Sequence, residues 1–109
     1  MNLPKCPVEV TLMLIGSKWN VLIIRELLSG RKRFSELKRA ITGISPKVLT
    51  SQLRDMEKKG LLTRNVYPEI PPKVEYQLTN LGYTLKDILD ALQLWGEEYQ
   101  RLMNATADI

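Results

Sequence analysis

The stretch from Ser45 to Gly60 carries both of its helix boundaries in its own sequence. Ser45 is suited to cap a first turn, Pro46 fits the first helical position, and Gly60 fits the left-handed position after a last turn. Four apolar residues recur with helical spacing on one side of this stretch: Val48, Leu49, Leu53 and Met56. We therefore predict an amphipathic helix over residues 45–59 whose apolar side packs into a core.

A second side of this predicted helix carries hydroxyl groups and cations. Its residues are Lys47, Thr50, Ser51, Arg54 and Lys58, and we expect Asp55 and Glu57 to lie elsewhere on the helix. Such side chains donate hydrogen bonds to phosphates and base edges, and the short ones let a backbone approach a duplex closely. The pattern is typical of a helix that binds nucleic acid, although a solvated helix face has a similar composition.

The distribution of charge favours the nucleic-acid interpretation. The net charge is only +4, but residues 31–60 hold nine Lys or Arg against three Asp or Glu. Residues 79–109 hold two against five. A basic surface around the 45–59 helix is the electrostatic footprint of a DNA-binding protein, and the acidic last third should face away from the DNA.

Composition also limits the chemistry that this chain can perform. A length of 109 residues with 44% apolar residues predicts one domain over residues 1–109. The chain has no histidine and one cysteine, so we expect no catalytic residues, no metal site, no cofactor and no intrachain disulfide. No apolar run approaches the ~18 residues that span a bilayer, so we expect a cytoplasmic protein without membrane contact.

A short helix should precede the 45–59 helix, and only residues 42–44 separate the two. We predict this short helix from about Ser35 to Ile41, with Ser35 as its cap and Leu37, Ala40 and Ile41 facing inward. Two helices joined by a short turn that contains glycine form a helix-turn-helix, whose second helix lies in the major groove. Residues 31–33 form a basic link to an apolar helix predicted over 18–29, and another helix is predicted over 7–15.

After Gly60 the helical spacing gives way to alternation, which predicts an antiparallel hairpin, or wing. Its first strand carries Leu62, Arg64 and Val66, and its second carries Val74, Tyr76 and Leu78 with Lys73, Glu75 and Gln77 on the opposite face. The proline-rich residues 67–72 should form a stiff loop between the strands.

The last predicted helix runs from Thr79, its cap, to about Met103. Seven of its residues repeat at alternating spacings of four and three: Leu81, Leu85, Ile88, Leu92, Trp95, Tyr99 and Leu102. A helix of ~25 residues is ~37 Å long, whereas a compact domain of this size has a radius of gyration of ~13 Å. We expect the outer half to overhang and to pack on the last and first helices of a second subunit, through Leu12, Leu92, Trp95, Tyr99, Leu102 and Met103. The alternative is that the whole helix lies along its own domain.

The sequence strongly resembles the HxlR type of winged-helix bacterial regulators. Three stretches carry the resemblance: CPVEVTLMLIGSKW at 6–19, RFSELKRAITGISPKVLTSQLRDMEKKGLL at 33–62, and VYPEIPPKVEYQLTNLG at 66–82. The resemblance implies a mainly α fold with a small β-hairpin wing (α+β), that is, a winged helix-turn-helix with dimerisation helices at about 7–15 and 79–103. It also implies a homodimeric transcriptional regulator whose 45–59 helix enters the major groove.

We therefore predict a homodimer that binds double-stranded DNA at a partly palindromic operator. We expect major-groove and phosphate contacts from Lys47, Thr50, Ser51 and Arg54. We expect contacts with the flanking backbone from Arg33, Lys38, Arg39, Arg64 and Lys73.

Cys6 is a candidate sensor. It precedes a helix start marked by Pro7 and follows Lys5, and both a helix dipole and a neighbouring cation favour the thiolate. Some HxlR-type proteins use a cysteine at this position to sense electrophiles or oxidants, and the resemblance implies the same possibility for Cys6. The alternatives are a buried structural cysteine, a repressor that binds an aromatic effector at the dimer centre with Cys6 inert, and a winged helix that binds only proteins.

Overall fold

The computed structural model describes residues 2–107. Its helices are α1 (Pro7–Ile15), α2 (Lys18–Leu27), α3 (Phe34–Ala40), α4 (Pro46–Lys58), α5 (Asn80–Tyr83) and α6 (Lys86–Ala107), and its strands are β1 (Lys32–Arg33), β2 (Leu62–Tyr67) and β3 (Lys73–Leu78). The strands form one antiparallel sheet in the order β1-β3-β2. The predicted class, mainly α with a β-hairpin wing, is confirmed.

The core of the chain is built around α2. Ile23, Ile24 and Leu27 are completely buried, and they share one cluster with buried residues of α3, α4, β2 and β3. Complete burial of one such side chain contributes roughly 1.5–3 kcal/mol relative to exposure. This cluster holds α4 and the sheet against each other, which fixes the position of the polar side of α4.

The predicted ends of α4 are confirmed. The Ser45 hydroxyl accepts a hydrogen bond from the Val48 N–H at 3.1 Å. Gly60 has φ +81° after the last turn, and Gly43 has φ +85° in the turn that joins α3 to α4. Residues with a Cβ rarely adopt these backbone angles, so Gly43 fixes the turn between the two helices and Gly60 fixes the end of α4.

The start of α3 differs from the prediction. The helix begins at Phe34 with Arg33 as its N-cap residue, so Ser35 is not the cap. The Glu36 carboxylate accepts the Arg33 N–H at 2.8 Å, so the helix is capped two residues earlier than expected. Leu37 and Ile41 are buried as predicted, but Ala40 is exposed.

The predicted basic link at residues 31–33 contains strand β1. Lys32 lies opposite Tyr76, and Arg33 lies opposite Glu75, so β1 adds a third strand beside the hairpin. The hairpin is confirmed, with Leu62 opposite Leu78 at its base and Tyr67 opposite Lys73 at its end. The sheet therefore connects the start of α3 to the wing.

The prediction of one continuous helix over residues 79–103 is wrong. Thr79 is a cap, but it caps the short α5, and Thr84 and Leu85 form a turn before α6. The Thr79 hydroxyl accepts the Gly82 N–H at 3.1 Å and donates to the Gly60 carbonyl at 2.6 Å. A Cβ at Gly82 would collide with the Leu61 carbonyl oxygen. These contacts hold α5 against Gly60 and Leu61, just after α4, and the chain therefore turns before α6 extends away from the core.

Helix α6 extends well beyond the core, as predicted. Leu85 and Leu89 are buried, whereas the large apolar side chains that follow are exposed. The radius of gyration is 16.3 Å and the longest dimension is 59 Å, against ~13 Å for the radius of a compact domain of this length. On α6, hydrogen bonding to Arg101 holds the pKa of the Glu98 carboxyl below its usual range.

Helix α1 is mostly exposed and meets α2 at its C-terminal end. Ile15 is its buried residue, and Val8 and Leu12 are exposed, so much of its apolar surface has no cover within residues 2–107. In that range no single helix has both the length and the apolar character of a membrane span. Helices α1 and α2 meet both requirements only jointly, and they are bent by 75°.

Candidate nucleic-acid interface

The predicted DNA-contacting residues of α4 form one surface, here called the α4 surface. It comprises Lys47, Thr50, Ser51, Arg54 and Lys58, which line one shallow depression together with Pro46 and Asp55. Thr50 is half-buried and the other four residues are exposed. Their donor groups are therefore free to meet phosphates or base edges.

The position of Asp55 corrects one expectation. This acid lies at the edge of the α4 surface rather than away from it. Its Oδ2 atom lies 2.8 Å from Lys59 Nζ, an ion pair between residues one turn apart. The pairing compensates the charge of Asp55, so the α4 surface stays net positive.

A neighbouring groove brings the wing to the α4 surface. It runs between α4 and the sheet and is lined by Phe34, Thr50, Leu53, Arg54, Glu57, Arg64 and Tyr76. Thr50 and Arg54 line both this groove and the shallow depression. Arg64 of β2 therefore lies beside Thr50 and Arg54 of α4, close enough for all three to contact one duplex.

The remaining predicted contacts lie around this centre. Arg33 is exposed at the start of α3, Arg39 is exposed in its last turn, and Lys38 beside it is half-buried. None of the three lines the depression or groove of α4 described above. Their positions fit contacts with flanking phosphates better than contacts with bases.

Lys73 belongs to a cluster that the sequence analysis did not identify. Its Nζ atom and Arg31 Nη1 each lie 3.8 Å from Glu75 Oε1. The alternation in β3 already placed Lys73 and Glu75 on one face, but nothing in the sequence indicated that Arg31 would join them. That contact depends on β1 pairing with β3.

The predicted dimer residues form an exposed apolar band along α6, here called the α6 band. It consists of Leu92, Trp95, Tyr99, Leu102 and Met103, each at least 46% exposed. The rings of Trp95 and Tyr99 stack with their centroids 5.5 Å apart. Leu12 on α1 is exposed too. Contiguous apolar patches of this kind mark interaction sites in soluble proteins.

Two further features bear on regulation. Cys6 is exposed at the N-cap of α1, so it is not a buried structural residue. A groove of about 360 Å³ between α2 and α6 is lined by Val21, Leu22, Arg25, Leu28, Leu89, Asp90, Leu92 and Gln93. Within residues 2–107, no group of three or more His, Cys, Asp and Glu side chains is placed to bind a metal ion.

The sequence is similar to a family of helix-turn-helix proteins and to individual regulators within it. The HxlR-like helix-turn-helix family model matches residues 14–104. The HTH-type transcriptional regulator YdeP of Bacillus subtilis is 44% identical over 95 residues, which are 87% of this chain and 74% of YdeP. Such relatives are transcriptional regulators, which confirms that this chain is not an enzyme.

Solved structures of two regulators resemble the whole arrangement. The redox regulator HypR in its reduced form superposes with a TM-score of 0.86 at 41% identity, covering 92% of this chain and 99% of HypR. Reduced YodB from B. subtilis gives a TM-score of 0.77 at 38% identity, covering 88% and 95%. The family model covers the helix-turn-helix, the wing and most of α6, and the chain belongs to the HxlR-like helix-turn-helix family of transcriptional regulators.

Proposed function

We propose that the chain acts as a homodimer on a partly palindromic DNA operator, with the α4 surface of each copy in a major groove. Residues 1–109 serve as one winged-helix unit in this proposal, and the dimer acts on cytoplasmic DNA. The observation that carries the proposal is the exposed α4 surface, whose donors have no role in the core and lie beside Arg64 of the wing.

Arg54 is central to this proposal because it lines both the depression and the groove of α4. A guanidinium that contacts a base edge through two N–H groups contributes roughly 1–3 kcal/mol of discrimination. We expect Arg54→Ala to lower affinity for a duplex selected by the wild-type protein from a random library by roughly 5- to 150-fold.

The matched control for this variant is Arg101→Ala, which removes the same charge from exposed α6. It should leave DNA affinity nearly unchanged. Electrophoretic mobility shift gives both affinities, and light scattering shows that both variants keep the wild-type mass. Equal affinities for wild type and Arg54→Ala would refute the assignment of α4 as the recognition helix.

The α6 band supports the dimer. A second copy would cover Trp95, Tyr99 and Leu102, and the exposed Leu12 of α1 would add to the interface. A two-fold axis between the α6 helices would present two α4 surfaces to one duplex, with half-site centres about one helical turn, ~34 Å, apart.

Cys6 supports thiol-based control of this dimer. HypR is described as a redox regulator, and YodB has been crystallised after treatment with diamide. In this chain we propose that the exposed Cys6 side chain reacts with an electrophile or oxidant. With one cysteine per chain, a protein disulfide must join two chains, and its formation transfers two electrons and two protons from the two thiols to the oxidant.

A route from α1 to the α4 surface is present in the structure. Lys59 Nζ lies 2.8 Å from Asp55 Oδ2 and donates to the Met13 carbonyl oxygen at 3.4 Å. Lys59 thereby ties the C-terminal end of α1 to the last turn of α4. A displacement of α1 caused by chemistry at Cys6 would reach the recognition helix through this contact.

The test compares wild type with Cys6→Ser before and after diamide or N-ethylmaleimide. We expect the treated wild type to change its DNA affinity by roughly 5- to 150-fold, the range of typical allosteric couplings. Cys6→Ser should not respond. Intact mass and a non-reducing gel show whether the product is an adduct or a disulfide-linked dimer. An equal response in both proteins would exclude Cys6 as the sensor.

A ligand-responsive repressor is the second candidate, and the groove between α2 and α6 favours it. Its volume of about 360 Å³ lies within the ~300–1,000 Å³ of typical ligand pockets. An aromatic compound that changes the DNA affinity of Cys6→Ser as much as that of the wild type would support this candidate.

A further inference from the structure

The outer face of the sheet holds a cluster of opposite charges around Glu75. Glu75 Oε1 lies 3.8 Å from both Arg31 Nη1 and Lys73 Nζ, and its side chain is only 12% exposed. Arg31 also donates a hydrogen bond to the Tyr67 hydroxyl at 3.4 Å. The Lys73 ammonium lies 5.2 Å from the centroid of the Tyr67 ring. Two long cationic side chains therefore converge on one carboxylate and one phenol.

The strand register places this carboxylate at the centre of the sheet. Glu75 lies opposite Arg33 of β1 on one side and opposite Asn65 of β2 on the other. Directly opposite residues of antiparallel strands project to the same face, so Arg33 lies on the face that carries the cluster. Arg31 and Lys73 are the two cations that contact the acid, and the face stays net positive.

Fold stability does not explain why a second, exposed cation joins Lys73 at this carboxylate. The Glu75 side chain is only 12% exposed, so a cation beside it offsets the cost of desolvation, and Lys73, whose side chain is 30% exposed, provides one. The Arg31 side chain is 55% exposed and its pair with Glu75 spans 3.8 Å, so this pair contributes little to folding. Both pairs also have a conformational effect, because each restricts a flexible side chain that would otherwise sample many rotamers.

The same strands carry the contact between the wing and α4. Arg64 lies opposite Tyr76 on the other face of the sheet and lines the groove that Thr50 and Arg54 also line. When α4 occupies a major groove, we expect the wing, with Lys73 at its outer end, to lie along the adjoining phosphate backbone. Arg31 and Lys73 retain free N–H donors while paired with Glu75, because Arg has five and Lys has three.

We propose that Glu75 is a positioning residue for DNA recognition, which holds Arg31 and Lys73 in place to meet phosphates beside the recognition helix. The proposal rests on the DNA-binding function proposed above. An acid at a DNA interface normally weakens binding by repulsion. Glu75 instead strengthens specific binding, since ordering two side chains in advance lowers the entropic cost of contact.

The variant Glu75→Gln distinguishes positioning from repulsion because the two effects have opposite signs. If Glu75 only repels phosphates, its neutralisation tightens binding to every duplex. If Glu75 positions the cations, they meet phosphates that come within reach only when α4 is seated on its selected sequence. Affinity for the selected duplex then falls, while affinity for a scrambled duplex stays the same or rises. We expect the ratio of the two affinities to fall roughly five- to tenfold.

Glu69→Gln is the matched control. Glu69 is an exposed acid of the same wing, so its neutralisation changes the charge equally. It should shift both affinities by one factor and leave their ratio unchanged. Thermal unfolding should show the same midpoint for both variants. If Glu75→Gln and Glu69→Gln give the same ratio of affinities for the selected and scrambled duplexes, the proposal is overturned.

A double-mutant cycle tests the route of the effect. In an Arg31→Ala, Lys73→Ala background, Glu75→Gln should no longer reduce the ratio, because the side chains that it positions are gone. If Glu75→Gln lowers the affinity ratio as much in that background as in the wild type, the proposal is overturned. If Glu75→Gln fails to fold, Tyr67→Phe removes the hydroxyl that holds Arg31 and should lower the ratio by a smaller factor; an unchanged ratio would then overturn it.

The outcomes also separate this proposal from the function on which it rests. A wild-type protein that shows no preference for any selected duplex would refute the proposed DNA recognition. A wild type with a clear preference that Glu75→Gln retains would refute only the role of Glu75.

Discussion

Helices α4 and α6 are both amphipathic, but their apolar sides meet different surroundings. On α4, Leu49, Leu53 and Met56 are each at most 2% exposed, packed on α2 and the sheet. On α6, Trp95 is 70% exposed and Tyr99 is 51% exposed. The core that supports α4 lies within one chain, whereas the α6 band stays exposed within residues 2–107; in the proposed dimer a second chain covers it.

Because of this difference, we expect different physical forces to act at the α4 surface and at the α6 band. Contact through the α4 surface depends on cations and hydroxyls, so we expect it to be electrostatic and polar. Association through the α6 band depends on removal of apolar surface from water. The acidic charge of residues 79–109 and the basic charge of residues 31–60 agree with this division.

The largest expected effect is that of salt concentration, which should weaken DNA binding but not dimer association. A dimer that makes six to ten phosphate contacts loses roughly 10³- to 10⁵-fold in DNA affinity between about 50 and 200 mM salt. The dissociation constant of the dimer should hardly change over the same range, because apolar burial is not screened. Fluorescence anisotropy gives the first constant and sedimentation gives the second. A flat salt response of DNA binding would break the division.

Placing a charge in the α6 band should give the next largest effect. We expect Trp95→Glu to produce monomers, because the interface would have to bury an unpaired carboxylate. Loss of the second recognition helix should weaken operator binding by roughly 10²- to 10⁴-fold, the usual gain from bivalency. Light scattering gives the mass and mobility shift the affinity.

Gln100→Glu is the control for Trp95→Glu, since it places the same charge on an exposed position of α6 outside the band. It should remain dimeric and bind DNA as the wild type does. A dimeric Trp95→Glu protein would show that the subunits pair elsewhere.

One substitution made on each helix sharpens the comparison further. Leu53→Ala on α4 should lower the free energy of unfolding by roughly 2–5 kcal/mol, because it leaves a cavity in the core. Leu94→Ala on α6 removes the same atoms from a side chain that is 67% exposed, and should change stability by at most about 0.5 kcal/mol. Urea unfolding measures both. Equal losses would contradict the exposed position of Leu94.

Local chemistry explains which parts of the fold were predictable. The ends of α4 depend on Ser45, Pro46 and Gly60, whose effects act within one turn, so the sequence alone indicated them. The hairpin was predictable for the same kind of reason, since alternation is a local signal. The residues of the α4 surface followed from spacing on one helix.

The remaining features depend on contacts between distant parts of the chain. The break at Thr84 arises because Thr79 and Gly82 are tied to Gly60 and Leu61, while the spacing of Leu81, Leu85 and Ile88 continues across it. A strand as short as β1 has no periodicity to detect and exists through its pairing with β3. The cluster around Glu75 was missed for the same reason.

In the proposed dimer, two α4 surfaces reach one duplex together. Hydroxyl-radical footprinting of the wild-type protein on a selected duplex tests this most directly. We expect two protected stretches on one face of the DNA, about one helical turn apart, with two protein copies bound per duplex. A single protected stretch with one bound copy would contradict the account.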